Sequence, residues 1–208
     1  MTEPRRLLLL RHGQTAWNAE HRAQGQRDVP LDQTGLLQAK SVAPVLAAME
    51  PAFVRSSDLA RARVTAETVA DAAGVSVATD ARLREFDLGA RTGQTMAEYA
   101  ATHPEEFRRF RAGQYDVAPG GESRATVTAR VTGALDDALA ALAPGELGIV
   151  VGHGAATKVS LLEWLALPPA ASAVLGALGN CHWALVDDSG DPTGPADGRR
   201  LVAYNRHA

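Results

Sequence analysis

Two short apolar stretches stand out along this chain of 208 residues. Residues 7–10 are four consecutive leucines, and residues 147–151 read Leu-Gly-Ile-Val-Val. Continuous rather than alternating apolar character marks strands covered on both faces, as in the middle of a parallel sheet. Between them, residues 33–49 carry Leu36, Leu37, Val42, Val45, Leu46 and Met49 at helical spacing, with Asp32 as N-cap and Pro51 as the stop. Residues 53–57 predict a second strand. Asp58 then predicts the N-cap of a helix that closes at Gly74, and 75–79 predict a third strand. Residues 122–143 place Val127, Val131, Leu135, Leu139 and Leu142 on one helical face. A further helix after residue 154 is stopped by Pro168-Pro169. Residues 181–187 and 200–206 read as two more strands, joined by a turn-rich loop as in a hairpin.

This succession predicts an α/β fold of three layers, a mostly parallel central sheet with helices on both faces. One domain over 1–208 is expected. Residues 80–121 break the pattern, with Gly89-Ala90, Pro119-Gly120 and a polar helical segment around 94–111. They are expected to form a small inserted cap over the strand ends.

Composition narrows the function classes. The formal net charge is −3, which speaks against nucleic acid or an anionic membrane as the main partner. Cys181 is the single cysteine, so no intrachain disulfide can form; it is expected to be a half-buried strand thiol. The four-leucine run is too short for a signal-peptide core or a membrane span, and a cytoplasmic protein is expected. A strand at the sheet edge near the C-terminus leaves room for a homodimer.

Both central strands run directly into a histidine, in Arg11-His12-Gly13 and Gly152-His153-Gly154. Parallel neighbours would deliver both rings to one sheet edge, where open α/β sheets bind ligands. Arg61 falls in the first turn of the helix after residues 53–57, and a helix N-terminus favours an anion. Glu85 stands where the cap begins. Each residue has a plainer reading: Arg61 a solvated helix arginine, Glu85 a surface partner of Arg82 or Arg84, His153 a satisfied core histidine.

Taken in order, LLLLRHGQTAWN (7–18), SSDLARARVTAET (56–68), LREFDLG (83–89), PGGES (119–123) and VVGHG (150–154) resemble the histidine phosphatase superfamily. Within it the chain is similar to the actinobacterial phosphatases of glucosyl-3-phosphoglycerate, on QGQRDVPLDQTG (24–35), PGGESR (119–124) and GALGN (176–180). The resemblance implies a metal-independent phosphomonoesterase with no cofactor, acting on a small phosphorylated substrate through a phosphohistidine. It makes His12 the nucleophile, Arg11, Arg61 and His153 the holders of the phosphoryl oxygens, and Glu85 the proton donor. Asn18, Gln24, Gly25 and Gly154 would line the same pocket. The chemistry fits these residue types: a neutral imidazole attacks, and guanidinium donors answer the charge spread over the transferring group. The sequence has neither the clustered aspartates of a magnesium phosphatase nor a His-x-x-x-His pair. It departs from the family at Gln14, where Glu is common, at Gly152, where Ser is common, and at residues 90–93. There Ala-Arg-Thr-Gly replaces an aromatic-Glu-Gly, which bears on the pocket rim. Three competing readings remain: a bisphosphoglycerate-primed mutase, a non-catalytic phospho-ligand scaffold and a nucleotide-binding module. The mutase would need a longer insertion than the 34 residues between Glu85 and Gly120.

Overall fold

The computed structural model describes residues 3–111, 118–168 and 170–208. The chain begins with β1 (Arg5–Arg11), a short α1 (Ala16–Ala19) and α2 (Gln33–Ala47). Then come β2 (Phe53–Ser56), α3 (Ala60–Ala73) and β3 (Val77–Thr79). Two short helices, α4 (Met96–Thr102) and α5 (Pro104–Arg111), precede the long α6 (Arg124–Ala140). The last part runs β4 (Leu147–Gly152), α7 (Gly154–Trp164), α8 (Ala171–Val174), β5 (Trp183–Asp188) and β6 (Arg199–Arg206). The six strands make one sheet in the order β3-β2-β4-β1-β5-β6. The pairings among β3, β2, β4 and β1 are parallel, and β5 and β6 are antiparallel.

The four leucines of β1 explain the layering. Leu7 and Leu9 pack with Val127, Val131 and Leu135 of α6 and with Leu161 of α7. Leu8 and Leu10 point the other way, into Val42 and Leu46 of α2 and Ala66 and Val69 of α3. All four are at most 2% exposed. A strand with successive side chains on opposite faces can be apolar throughout only where both faces are covered. Because α2 follows β1 on one face and α7 follows β4 on the other, the crevice between the ends of β1 and β4 is the topological switch point.

Several local expectations needed correction. Asp58 does not cap α3: Leu59 is the N-cap residue, with no side-chain cap, while Asp58 pairs with Arg84. Asp28 from the preceding loop supplies the acceptor instead, taking the Ala60 N–H at 2.8 Å. The polar segment around 94–111 is two helices, because Pro104 cannot continue α4 and starts α5. The first long helix ends at Ala47, ahead of Pro51, and α7 ends at Trp164, ahead of Pro168. Pro169 lies outside the described residues, as do residues 112–117. Cys181 is buried but precedes β5, in a turn with φ of 54°. Among the described residues, no helix is long and apolar enough to cross a membrane.

Candidate active site

Arg11 of β1 stands opposite Gly152 of β4, and the His12 N–H donates to the Gly152 carbonyl at 3.1 Å. Both histidines therefore emerge side by side, their rings 5.2 Å apart and edge to face. His12 is 3% exposed and His153 fully buried. His12 Nδ1 lies 2.6 Å from the Gly13 carbonyl. A carbonyl only accepts, so Nδ1 carries the proton and a neutral ring leaves Nε2 bare. Burial, then the charges of Arg11 and Arg61, push the His12 pKa well below its usual value, so the ring is neutral at pH 7. His153 is depressed in the same direction, by burial first and then by Arg61, His12 and Arg11. Its Nε2 contacts the Ser57 hydroxyl at 2.9 Å, and its Nδ1 has no hydrogen-bond partner among the described residues.

Glycine at position 13 is required by packing. A Cβ there would lie 2.5 Å from the Gly35 carbonyl at the start of α2, and one on Gly35 would strike the Gln14 backbone. The Gly13 N–H donates to Thr65 of α3, whose hydroxyl donates to the Arg61 carbonyl. Two helices, α2 and α3, thus clamp the loop that carries His12.

Arg61 is 1% exposed, a guanidinium sunk in the protein. Its Nη1 and Nη2 donate to the carbonyls of Arg27 and Gly25 at 2.8 and 2.7 Å, while Nε has no hydrogen-bond partner among the described residues. Burial lowers its pKa to about 10, opposed by Glu85 and Asp28, so it stays charged at neutral pH. The solvated reading of Arg61 is thereby excluded. Arg11 donates from Nη1 to the Leu178 carbonyl at 2.6 Å and likewise leaves a buried Nε unpartnered. A buried and a half-buried guanidinium group, each with a donor not engaged by the described residues, stand beside two neutral imidazoles, a set of groups whose chemistry suits a compact dianion.

Glu85 does not pair with its arginine neighbours: Arg82 binds Asp80 and Asp137, and Arg84 binds Asp58. Its carboxylate accepts the N–H groups of Ala155 and Ala156, at 3.0 and 2.8 Å, and that of Phe86 at 2.9 Å. The first two belong to the N-terminal turn of α7, directly after His153. Glu85 thus faces the same edge as the histidines, close enough to act electrostatically on Arg11 and Arg61.

The remaining sequence candidates divide. Gln24 is buried with an unpartnered Oε1, and Gly25, at φ of 53°, gives its carbonyl to Arg61. Asn18 completes the capping box of α1 with Thr15, and its Oδ1 also accepts from Asn180. Gly154 lets the backbone approach Arg11, since a Cβ there would sit 3.3 Å from the Arg11 Nε. The sequence reading missed Ser57, Thr65, Asn180 and Arg130, and considered Glu122 only as an alternative acid to Glu85. Asn180 donates to the His12 carbonyl at 3.0 Å. Arg130 donates to the carbonyls of Arg82, Arg84 and Glu85 and to both oxygens of Glu122. All of these but Arg130 lay within quoted motifs, so their positions were visible though their contacts were not. Among the described residues, no group of three or more His, Cys, Asp or Glu side chains could hold a metal ion.

Residues 7–193 match the family model described as the histidine phosphatase superfamily, branch 1. The chain belongs to that superfamily. It is 37% identical over 215 residues to a glucosyl-3-phosphoglycerate phosphatase of Mycolicibacterium vanbaalenii, covering 98% of this chain and 96% of the relative. A probable phosphoglycerate mutase of Yersinia enterocolitica is also 37% identical, over 188 residues, covering 89% of this chain and 86% of the relative. Among solved structures, mycobacterial glucosyl-3-phosphoglycerate phosphatase in complex with VO3 is similar with a TM-score of 0.85 at 34% identity. That match covers 97% of this chain and 99% of the other.

Proposed function

We propose that this chain is a phosphomonoesterase that passes the phosphoryl group of a small phosphorylated metabolite to His12 and then to water. The observation that carries this reading is the state of His12: neutral, fixed at Nδ1 by Gly13, and flanked by the buried Arg61 and the half-buried Arg11. His12 Nε2 attacks phosphorus while Arg11, Arg61 and His153 hold the equatorial oxygens. The bond to the leaving oxygen breaks, and Glu85 gives that oxygen its proton. Water then attacks the phosphohistidine, Glu85 takes the proton from the water, and phosphate departs with His12 restored. Asn18, Gln24, Gly25 and Gly154 support the pocket wall. Positioning and electrostatics suffice, so no metal or cofactor enters the cycle.

Glucosyl-3-phosphoglycerate, which names the Mycolicibacterium relative and the similar mycobacterial structure, is the first substrate to test, ahead of other sugar phosphates and phosphoglycerates. We further read the chain as one cytoplasmic domain, capped by residues 80–121, with β6 as the edge through which a homodimer would form. The mutase reading draws on the Yersinia relative and differs only in the fate of the phosphoryl group. Incubation with 3-phosphoglycerate, with and without 2,3-bisphosphoglycerate, and with a panel of sugar phosphates decides between them. Free phosphate as the product supports the phosphatase. Primer-dependent 2-phosphoglycerate without free phosphate supports the mutase.

A further inference from the structure

The loop before β5 meets the candidate site through a single peptide unit. Arg11 donates from Nη1 to the Leu178 carbonyl at 2.6 Å, and the N–H of that same peptide, which belongs to Gly179, donates to Asn205 Oδ1 at 2.9 Å. Asn205 lies on β6, the edge strand, outside every motif that carries a site residue. We propose that Asn205 is a positioning residue for the phosphoryl-binding groups, setting the direction of the Arg11 guanidinium through the peptide between Leu178 and Gly179. The inference rests on the phosphatase reading and deepens it by one residue.

Strand β6 is shaped to deliver this side chain. Between the pairs Trp183–Arg206 and Leu185–Ala203, β5 advances two residues and β6 three, so β6 carries a bulge at Tyr204 and Asn205. Asn205 takes up the left-handed conformation there, at φ of 54°, which asparagine tolerates better than most residues with a side chain. An asparagine in a turn usually bonds its own backbone two residues on. This one reaches instead to Gly179 and to His182 Nδ1, the latter also at 2.9 Å, 26 and 23 residues away in sequence. Its oxygen accepts the Gly179 N–H, so the proton of the second contact belongs to His182 Nδ1. The Tyr204 hydroxyl donates to the Gly176 carbonyl, and two successive residues of β6 thus hold one loop.

The peptide transmits the constraint because it is rigid. It is planar, with C=O and N–H pointing in opposite directions, so fixing the Gly179 N–H fixes the line along which the Leu178 carbonyl meets Arg11. The buried Leu178 side chain sets where this peptide lies, and the bond to Asn205 sets its tilt. Arginine has a long stem with many torsions, and its planar fork serves an anion well only when held at the right angle. With Nη1 committed to Leu178, the buried Nε is left for a ligand.

Asn205→Gly tests the proposal, because glycine keeps the left-handed backbone and removes the acceptor. The variant is expected to lose about three- to tenfold in kcat/KM on p-nitrophenyl phosphate, with thermal unfolding little changed. Asn205→Asp, which keeps an oxygen at the same place, should restore most of that loss. In an Arg11→Gln background the same Asn205→Gly change should cost at most about twofold, since the group it steers is gone. Tyr204→Phe, which frees the loop at Gly176, should show a smaller loss with the same dependence on Arg11, and it keeps the test open if Asn205→Gly unfolds. Binding of inorganic phosphate, measured by calorimetry on the same proteins, reads the effect without turnover. Wild-type kinetics and phosphate affinity in Asn205→Gly overturn the proposal. So does a loss of the same size with and without Arg11. Phosphate binding weakened as expected, in a protein that hydrolyses no ester, would support the role of Asn205 and count against the phosphatase reading alone.

Discussion

At the scale of single residues, the site depends on burying groups that usually face water. His12 and His153 are both held neutral, and this links stability to pH in a defined direction. In the unfolded chain a histidine takes up a proton as pH falls through about 6.5; in the folded protein these two do not until the pH is well below that. The unfolded state therefore binds more protons below pH 6.5, and stability falls as pH falls, by up to about 1.4 kcal/mol per pH unit for each ring. Above pH 7 the two rings contribute no slope. Urea unfolding at pH 7.5, 6.5 and 5.5 should show this decline, and His153→Gln should remove part of it. A stability independent of pH over that range would contradict the burial of two neutral rings.

Glu85 allows a second prediction at the same scale. An alkoxide leaves poorly unless it is protonated, whereas a nitrophenolate leaves unaided. Glu85→Gln is therefore expected to lose about a hundredfold to ten-thousandfold on an alkyl phosphate, and much less on p-nitrophenyl phosphate. Equal losses would make Glu85 a structural residue. Two other carboxylates, Asp87 and Glu122, are engaged elsewhere. Asp87 accepts the Gly89 N–H. Burial raises the pKa of Glu122, but Arg130, the Asp87 N–H and Gln26 outweigh it and hold the carboxyl below its usual value.

At the scale of elements, the strands and long helices were legible because each leaves a periodic apolar signature. The leucine run could be read as a buried strand because no other element hides four consecutive side chains on two faces. Residues 80–111 were legible only as an irregularity. Helices α4 and α5 there are short and polar, and the bonds that place this stretch join residues far apart in sequence. The Asp58 error has the same origin. Its sequence position suited a cap, but Arg84, 26 residues on, binds it, and Asp28, 32 residues back from Ala60, takes over. The clasp of Arg130 on α6 is another such link: it ties α6 to the carbonyls of the segment that carries Glu85. If it positions the acid, Arg130→Met should reproduce the Glu85→Gln pattern, with alkyl esters losing far more than p-nitrophenyl phosphate. Steady-state kinetics on both esters, beside thermal unfolding, separates this from a general loss of folded protein, which would lower both rates together.

At the scale of the whole molecule, function follows from topology. Two parallel strands, adjacent in the sheet but some 140 residues apart in sequence, end at histidines because their helices depart to opposite faces and leave a crevice. The residues of that crevice were legible because they sit in short motifs at strand ends. Their supports, Ser57, Thr65 and Asn180, were not, since a hydroxyl or amide reveals a role only once its partner is known. The central claim is that His12 carries the phosphoryl group. Rapid acid-free quenching of the wild-type protein with 32P-labelled substrate tests it most directly. A phosphoenzyme labile to acid and stable to base is expected, mapped to His12 and absent from His12→Ala. Turnover without protein-bound label, or label on another residue, would contradict it.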